Sequence, residues 1–437
     1  MEILLISQYW LPENGVPQRR GAWLTSTFSA SGCSVRVVAP PAHYDRTLTI
    51  RRWFHLRGWR SSSRTETGFS GERIYRSGFF PANNSLTSRA LNQAFVALCQ
   101  IAFIRGKKSF PPDYQPDVIV GTVPALPTAA VAWVAARHFG VPYVIDLRDA
   151  WPDLLQHARK WNHGIGDASL RERVLSMGPL QVMSKITSWV LNSTLVHAAA
   201  VVTTSSELAE SLRGRFRENG RDREVPVFTI RNVFPVATPF RRVAVPDRED
   251  GTFRVLYAGT IGRAQDLGNA VEAVRICVRR GMPIRLRLVG NGAAKRELRA
   301  ASQDLREFIE FHSRRHADVL DDDYQWADTA LVHLADWEPL TRTVPSKLYE
   351  LAEVGVHISG VVQGEAADLI TSLEAGSVVQ PGEPEQLADL WCSLASDRSQ
   401  LNVGGRAGMW VLGQRERVTP ETLRRILKAC RVDHTTG

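Results

Sequence analysis

The sequence predicts an α/β protein made of two doubly wound, Rossmann-like domains. Short apolar strands alternate with helices along most of the chain, a pattern typical of parallel sheets covered by helices on both faces. The alternation is interrupted over residues 234–251, where three prolines and mixed charges replace any periodicity and indicate a linker. A chain of 437 residues is too long to fold around one ordinary hydrophobic core and suits two domains of about 200 residues each.

The first domain is predicted over residues 1–233. Its strands are EILLIS, SVRVVAP, PDVIVGT, PYVIDLRD, AAVVTTS and VFTIRNV, each a short run of apolar and β-branched residues. Helices such as ALPTAAVAWVAARHFG and SELAESLRGRFRENG separate these strands. The repeated order of strand, turn and helix predicts a parallel sheet.

The second domain is predicted over residues 252–417, with the strands FRVLYAG, IRLRLVG, FIEFHS, ALVHLA, VHISGVV and GSVVQPG. Residues 418–437 are predicted to form a last helix that packs back toward the first domain. Two such domains facing each other would enclose a central cleft outside the carboxyl ends of their strands, where ligands bind in doubly wound sheets.

Charge and composition limit the classes of ligand and partner that the protein is expected to bind. The net charge of +9 favours anionic ligands such as phosphorylated metabolites or an acidic membrane surface, and the even spread of arginine argues against a nucleic-acid partner. The cysteines are odd in number and far apart, which indicates no disulfide framework and favours a reducing, cytoplasmic location: Cys33, Cys99, Cys277, Cys392 and Cys430. The eleven histidines show no ligand spacing, so no metal is expected.

No run of residues is apolar and long enough to span a bilayer. The nearest is LNQAFVALCQIAFIRGKK, from Leu91 to Lys108, an apolar helical pattern with a basic end. One interpretation is a core helix whose basic end is solvated. The other is a docking helix that places the protein peripherally on an anionic membrane.

The segment VPSKLYELAEVG, from Val344 to Gly355, predicts a short helix with the chemistry of a nucleotide site. Its start at Ser346 offers backbone N–H groups to a phosphate, and Lys347 adds a positive charge. Leu348 lies in the same first turn, and Glu350 lies one turn beyond Ser346 on the same face. A carboxylate there could accept hydrogen bonds from two ribose hydroxyls. The alternative is a solvated glutamate near a helix N-terminus.

Two glycine-containing loops follow predicted strands. In YAGTIGRAQDLG, Gly259 and Gly262 allow the backbone to approach a ligand and Arg263 could neutralise a diphosphate. In RLVGNG, Gly290 belongs to a G-x-G pattern that is weak evidence for a dinucleotide site. Ordinary strand–helix turns, required only for packing, remain the alternative for both loops.

In the first domain, VIDLRDAWPD places charges at the end of an apolar strand. Asp149 there could orient a sugar hydroxyl. Gly15, in the loop after the first strand, could bring backbone N–H groups to the cleft. LDDDYQW resembles a D-x-D metal motif, but Asp321–Asp323 precede a predicted helix, so compensation of its dipole explains them better.

Taken in order, the motifs ISQYWLPENG, VIDLRDAWPD, YAGTIGRAQDL, LVGNG, VPSKLYELAEVG and GEAADLI resemble glycosyltransferase family 4, the retaining GT-B enzymes. Within this family the chain looks most like bacterial O-antigen and capsule-type aminosugar transferases. The resemblance covers nearly the whole chain. It implies that Glu350 is the second glutamate of the family's Glu–seven residues–Glu motif and holds the donor's ribose. Arg342 stands in the place of the first glutamate, and Glu338 is nearby but out of register.

The resemblance also implies the positions of the donor diphosphate. The family often has Arg and Lys where this chain has Thr260 and Gln265, with Arg263 between them. The diphosphate's positive partner is therefore Arg263 or Lys347. The implied catalytic residues are these two and Asp149.

The implied reaction transfers a sugar, such as GlcNAc, from a UDP-sugar to a hydroxyl of a lipid-linked or small glycoside acceptor in polysaccharide or glycoconjugate biosynthesis. It proceeds with retention and without a metal or cofactor. Two alternatives remain, a GT-B-fold sugar-nucleotide epimerase and a non-catalytic nucleotide-sugar-binding protein. The missing first glutamate is the reason to retain the second.

Overall fold

The computed structural model describes residues 1–13, 15–43, 48–82, 86–107, 109–150, 179–218, 224–236, 240–245, 249–315 and 320–432. The chain divides into two compact units. It passes from the first unit to the second between Phe234 and Pro235, and it returns to the first between Glu416 and Arg417. Among the described residues, no helix combines the length and apolar composition needed to cross a membrane.

The described part of the first unit contains an eight-stranded sheet of order β3-β4-β2-β1-β5-β6-β7-β8, in which only β3 runs antiparallel to its neighbour. The strands are β1 (Glu2–Ile6), β2 (Ser34–Ala39), β3 (Thr65–Thr67), β4 (Arg73–Arg76), β5 (Val118–Val123), β6 (Tyr143–Leu147), β7 (Ala200–Thr203) and β8 (Val227–Thr229). The helices are α1 (Val16–Ala30), α2 (Ile50–His55), α3 (Leu86–Ile104), α4 (Pro127–Phe139), α5 (Pro179–Val196) and α6 (Ser206–Glu218).

The six strands expected in this unit are present, and all residues of β5, β6 and β7 are buried. Complete burial is what continuous apolar runs predict for strands covered on both faces. The sequence did not predict the β3–β4 hairpin or α2. All three residues of β3 are exposed, so no alternating apolar pattern marks this strand.

The second unit contains six parallel strands in the order β11-β10-β9-β12-β13-β14. They are β9 (Phe253–Ala258), β10 (Ile284–Val289), β11 (Ile309–His312), β12 (Thr329–His333), β13 (His357–Val361) and β14 (Gly376–Val379). The helices are α7 (Gly268–Arg279), α8 (Lys295–Ala301), α9 (Asp321–Trp326), α10 (Glu338–Thr341), α11 (Ser346–Val354), α12 (Glu365–Ser372), α13 (Pro384–Ser396) and α14 (Arg406–Gly413).

The last helix, α15 (Thr419–Val432), belongs to the first unit. Its buried residues follow a helical spacing of three and four along one face: Leu423, Ile426, Leu427 and Cys430. This face packs against α1, β7 and β8. The segment that precedes α15, Gln414–Val418, is a π-helical turn.

Glu353 on α11 is a shared contact for both segments in which the chain passes between the units. It is 8% exposed, and its Oε1 accepts a hydrogen bond from Arg241 Nη2 at 2.8 Å. Arg415 also binds this carboxylate, with 3.1 Å between Nη1 and Oε1. One buried carboxylate of the second unit therefore anchors a residue of the outgoing segment and a residue of the returning segment.

Each sheet has a point at which the strand order reverses. In the second unit β9 lies between β10 and β12, and in the first unit β1 lies between β2 and β5. Consecutive crossover connections leave in opposite directions from these strands, so the loops at their carboxyl ends separate and create a crevice. The residues after β9, β12 and β1 are therefore the ones that the topology offers to ligands.

Two buried histidines predict how stability of the second unit depends on pH. His333 is 2% exposed and His357 is 1% exposed, and burial lowers their pKa values to about 3 and about 4. In the unfolded chain these histidines bind a proton near pH 6.5, whereas in the folded chain they stay neutral to much lower pH. Their contribution to stability is therefore fully present above about pH 6.5 and is lost as the pH falls. Between pH 6 and pH 4, we expect the free energy of unfolding to fall by roughly 1–1.5 kcal/mol per histidine per pH unit.

Urea denaturation at a series of pH values tests this expectation. The double variant His333→Gln, His357→Gln should show a shallower dependence on pH, whatever its absolute stability. His138→Gln changes an exposed histidine of α4 and should keep the wild-type slope. Equal slopes in all three proteins would show that other groups dominate the acid limb.

Candidate active site

The loop after β9 carries five of the residues expected to bind a ligand. Gly259 and Thr260 are exposed at the end of the strand. The buried Tyr257 donates a hydrogen bond from its hydroxyl to the Thr260 carbonyl at 2.6 Å, and burial raises the pKa of this tyrosine. Gly262 then precedes a single 3₁₀ turn, Arg263–Gln265. A core side chain therefore anchors the backbone of this loop at Thr260.

Gly290 lies where the loop after β10 meets the loop after β9. The Gly259 amide donates to the Val289 carbonyl at 3.0 Å. A Cβ atom at Gly290 would lie 1.8 Å from the Gly259 carbonyl oxygen, so no other residue fits without moving the backbone. This contact favours the packing interpretation of the glycine, and its role in donor binding stays a prediction.

A third loop, after β12, is hydrogen-bonded to the loop after β9 across the reversal point of the sheet. The Ala335 amide, two residues after β12, donates to the Ala264 carbonyl at 2.9 Å. From there the chain continues through α10 into α11. The loops that follow β9 and β12 are thus hydrogen-bonded to each other at the edge where ligands of doubly wound sheets bind.

Helix α11 begins at Ser346 and ends at Val354, with Gly355 in the left-handed region at φ 80°. This confirms the predicted helix and its glycine stop. Pro345 occupies the capping position, and among the described residues no side chain makes a capping hydrogen bond there. Leu348 is fully buried, and its amide donates to the Pro345 carbonyl at 3.0 Å. Leu348 therefore has a packing role in the first turn, and its contact with a donor stays a prediction.

Glu350, Lys347 and Tyr324 form a compact polar cluster on α11 and α9. The Glu350 carboxylate is 8% exposed; its Oε1 accepts a hydrogen bond from the Tyr324 hydroxyl at 2.5 Å, and its Oε2 lies 3.0 Å from Lys347 Nζ. Lys347 Nζ also donates to the Tyr324 hydroxyl at 3.2 Å. The interpretation of Glu350 as a solvated surface glutamate is therefore wrong.

The cluster determines what these groups can bind. An ammonium group has three N–H donors, and the two contacts of Lys347 leave the third to point elsewhere. A carboxylate has about four acceptor positions, so Glu350 can add hydroxyl partners to those it has. A carboxylate for hydroxyls and an ammonium for phosphate, both at the start of one helix, suit the two halves of a nucleotide's sugar and phosphate.

Sequence analysis missed Tyr324, which is fully buried on α9. For the neighbouring acidic residues, compensation of the helix dipole is an incomplete explanation. Asp321–Asp323 do form the first turn of α9, but Asp323 is fully buried and pairs with Arg287 at 3.1 Å and with Arg315 at 3.0 Å. Asp323 is therefore a structural ion-pair partner, which dipole compensation alone does not describe.

The structure also accounts for the arginine at position 342. Glu338 is the first residue of α10, and Arg342 follows the helix four residues later. The Arg342 guanidinium binds the Glu338 carboxylate. Glu338, which is out of register with the family motif, is thus paired with Arg342, which occupies the position of the motif's first glutamate.

In the first unit, Gly15 caps α1 in an extended conformation, and the partly exposed Asp149 follows β6. The charges at the end of β6 have different roles. Asp146 forms a buried ion pair with Arg20, with 2.7 Å between Oδ1 and Nη2, so this aspartate is structural. Burial, together with the neighbouring Arg20, lowers the pKa of Arg148 to about 10. Asp153 lies outside the described residues.

A second polar cluster of the first unit was not predicted. Gln18 donates from Nε2 to Glu13 Oε2 at 3.2 Å, and both side chains are buried. His43, after β2, is 3% exposed and stacks on Tyr9, and its Nδ1 lies 3.0 Å from the Pro41 carbonyl. Burial lowers the pKa of His43. These groups lie beyond the carboxyl ends of β1 and β2, and no spacing in the sequence connects them.

Metal ligation has no support in this part of the chain. The described residues contain no group of three or more His, Cys, Asp or Glu side chains arranged to hold a metal ion. The expectation that the protein works without a metal or cofactor stays a prediction.

Two family models match the chain. The Glycosyl transferase 4-like domain matches residues 17–227, and the Glycosyl transferases group 1 model matches residues 252–397. Together they cover most of both units, in the expected order. No protein of curated function matches the chain by sequence.

Several solved structures share the fold. Sucrose-phosphate synthase from Thermosynechococcus elongatus is 14% identical with a TM-score of 0.61, and the match covers 98% of this chain and 96% of that one. HepE from Anabaena, solved in complex with UDP and glucose, is 15% identical with a TM-score of 0.60, covering 98% and 100%. WaaG, a glycosyltransferase involved in lipopolysaccharide biosynthesis, is 12% identical with a TM-score of 0.56, covering 100% of each chain.

These matches confirm the predicted fold class, family and enzyme class. The finer resemblance to aminosugar transferases is not tested by them. On the two family models and the fold, the chain belongs to the GT-B glycosyltransferases with a family 4-like first domain and a group 1 second domain, and it is a glycosyltransferase of the hexosyltransferase type.

Proposed function

We propose that the protein transfers a sugar, an N-acetylaminosugar such as GlcNAc, from a UDP donor to an acceptor hydroxyl with retention of configuration. The observation that carries this proposal is the cluster of Glu350, Lys347 and Tyr324 at the start of α11. It combines a carboxylate, an ammonium group and a helix N-terminus beside the reversal point of the sheet. HepE, which shares the fold, was solved with UDP-glucose, in line with a UDP-linked donor.

In the proposed complex, the Glu350 carboxylate accepts hydrogen bonds from the two ribose hydroxyls of UDP. The third N–H of Lys347 and the first turn of α11 face the diphosphate. Arg263, in the 3₁₀ turn after Gly262, adds a second positive charge from the loop after β9. Thr260 and Gln265 replace the more basic residues of other family members, so the diphosphate relies on Arg263 and Lys347.

The proposed chemistry is a front-side displacement. The bond between the anomeric carbon and the diphosphate oxygen breaks, and the acceptor oxygen bonds to that carbon from the same face. The acceptor's proton passes to the leaving phosphate oxygen. Lys347 and Arg263 stabilise the negative charge that develops on the phosphate, which is the main catalytic contribution required of the protein.

The acceptor is proposed to bind to the first unit. Asp149 and the buried pair of Glu13 and Gln18 supply acceptors and donors for sugar hydroxyls. A lipid-linked or small glycoside acceptor, presented at the cytoplasmic face of a membrane in polysaccharide or glycoconjugate biosynthesis, fits this chemistry.

The test begins with a thermal-shift panel of nucleotide sugars, because a donor that binds only the folded state raises the melting temperature. The donor identified in this way is then incubated with glycoside acceptors, and the anomeric configuration of the product is read by NMR. We expect UDP-GlcNAc to raise the melting temperature and to give an α-linked product.

Each other outcome overturns the proposal. An inverted product contradicts retention. A new sugar nucleotide formed from UDP-GlcNAc without any acceptor identifies an epimerase. Donor binding without turnover, over lipid-linked and small glycoside acceptors alike, identifies a nucleotide-sugar-binding protein.

A further inference from the structure

The first unit exposes a concentration of large apolar side chains around α2. Ile50, Phe54, Leu56 and Trp59 are 58%, 57%, 61% and 39% exposed, and they lie within ten residues of one another. We call these four residues the α2 surface. Single exposed apolar residues are common on proteins, but a contiguous group marks a binding surface.

The α2 surface is held rigidly by the core beneath it. Trp53 is 6% exposed, and its indole Nε1 donates to the Phe79 carbonyl at 2.6 Å. Gly58 lies against this indole, since a Cβ atom at Gly58 would be 2.1 Å from Trp53 Cδ1. The exposed rings of Phe54 and Trp59 pack edge to face, 5.2 Å apart. The exposed side chains are therefore presented by an ordered scaffold.

The apolar surface continues onto α3. The Trp53 ring lies 5.9 Å from the Phe95 ring, and Cys99 Sγ lies 3.7 Å from the Trp59 carbonyl. On the same helix Leu91 and Leu98, two turns apart, are 59% and 66% exposed. These two leucines extend the α2 surface along one stripe of α3.

This arrangement revises the expectation for the helix at residues 91–108. Much of that helix faces the core, because Asn92, Val96, Gln100, Phe103 and Ile104 are each at most 6% exposed. The interpretation as a core helix is confirmed for this side, and docking of the helix on a membrane stays a prediction. The other exposed apolar side chains lie on α2 and in the segment after it, which the sequence did not single out.

Four arginines are interspersed along the chain with the residues of the α2 surface. Arg51, Arg52, Arg57 and Arg60 are all exposed, and none forms an ion pair within the described part of the chain. No acidic residue occurs from Leu48 to Arg64. Exposed aromatic and aliphatic side chains interspersed with exposed arginines match an anionic bilayer, in which apolar chains lie beneath a layer of phosphates.

We propose that the α2 surface docks the protein on an anionic lipid bilayer, with Phe54, Leu56 and Trp59 entering the head-group region and the arginines contacting lipid phosphates. A second copy of the chain is a poorer occupant, because a two-fold contact would bring the same arginines together. The inference rests on the proposed function in one respect: docking would bring the enzyme to a lipid-linked acceptor.

Sedimentation with vesicles tests the proposal in the absence of donor and acceptor. The wild type is expected to bind phosphatidylglycerol-containing vesicles and to bind pure phosphatidylcholine vesicles at least about tenfold more weakly. The double variant Phe54→Ser, Leu56→Ser should require at least about tenfold more anionic lipid for half-maximal binding. Phe69→Ser removes an apolar side chain that is 93% exposed outside this surface and should bind as the wild type does.

A second variant, Arg51→Gln with Arg60→Gln, keeps every apolar side chain and should lose binding to anionic vesicles to a similar extent. UDP affinity, measured by calorimetry, should be unchanged in both double variants, which separates docking from donor binding. Equal vesicle binding by the wild type and both variants overturns the proposal. So does equal binding to neutral vesicles, or a concentration-dependent dimer that Phe54→Ser, Leu56→Ser abolishes.

Discussion

Replacement of Glu350 by alanine is expected to weaken UDP binding by roughly 10- to 150-fold while the protein stays folded. In the proposed complex this carboxylate accepts hydrogen bonds from two ribose hydroxyls, and hydrogen bonds to a charged group contribute about 1.5–3 kcal/mol. The substitution also frees Lys347 from the carboxylate that holds it 3.0 Å away, so the second diphosphate contact becomes less ordered. Titration calorimetry with UDP measures the effect.

Two further variants sharpen this test. Glu350→Gln keeps the shape of the side chain and an acceptor for the Tyr324 hydroxyl but removes the charge, so its loss of affinity should be intermediate. Glu374→Gln changes an exposed glutamate that pairs with Arg406 in the same unit, and UDP affinity should not change. An unchanged affinity in folded Glu350→Ala protein would remove Glu350 from the donor site.

Asp146→Ala is expected to destabilise the protein by about 3–5 kcal/mol, because it leaves a buried guanidinium without its counter-charge. Arg20 is fully buried and Asp146 is 2% exposed. The guanidinium donates three hydrogen bonds to the carboxylate, from Nη2 to Oδ1 at 2.7 Å and from Nε to Oδ2 at 3.0 Å and to Oδ1 at 3.2 Å. It also donates to the Ile230 carbonyl at 2.9 Å and to Asn232 Oδ1 at 3.1 Å, so one side chain joins α1, β6 and the segment after β8.

Denaturant midpoints, with unchanged slopes, measure this loss. The double variant Arg20→Met, Asp146→Leu should be less destabilised than Asp146→Ala alone, because it removes the uncompensated charge instead of exposing it to an apolar core. Asp149→Asn, three residues away at a partly exposed position, should cost less than about 1 kcal/mol. A similar loss for Asp149→Asn would mean that the whole strand end is structural.

Much of the fold was predictable because its signals are local. A parallel sheet covered on both faces needs continuous apolar strands, and β5, β6 and β7 are continuous, mostly apolar runs of residues in the sequence. Helix α11 was predictable for the same reason, since Pro345 and Gly355 delimit it through their own backbone preferences. By contrast, β3 and α2 are short and largely exposed, so no periodicity marks them.

The contacts of the candidate site also divide into those that follow from local sequence and those that do not. Glu350 and Lys347 are three residues apart on one helix, so their proximity follows from helical geometry. Tyr324 reaches Glu350 from 26 residues away, and Arg20 reaches Asp146 from 126 residues away. Both of these contacts depend on the order of strands in a sheet, which no local pattern encodes.

By itself, the sequence determined the two-domain α/β class, the family and the helix that carries Glu350, since each rests on periodicity or on motifs contiguous in the chain. Only the tertiary structure decided that Glu350 is buried against Tyr324, that Asp146 and Asp323 are ion-pair partners of arginines, and that several large apolar side chains in and after α2 are exposed. The physical reason is that burial and charge pairing are properties of neighbours in space, and in a doubly wound sheet those neighbours come from distant parts of the chain.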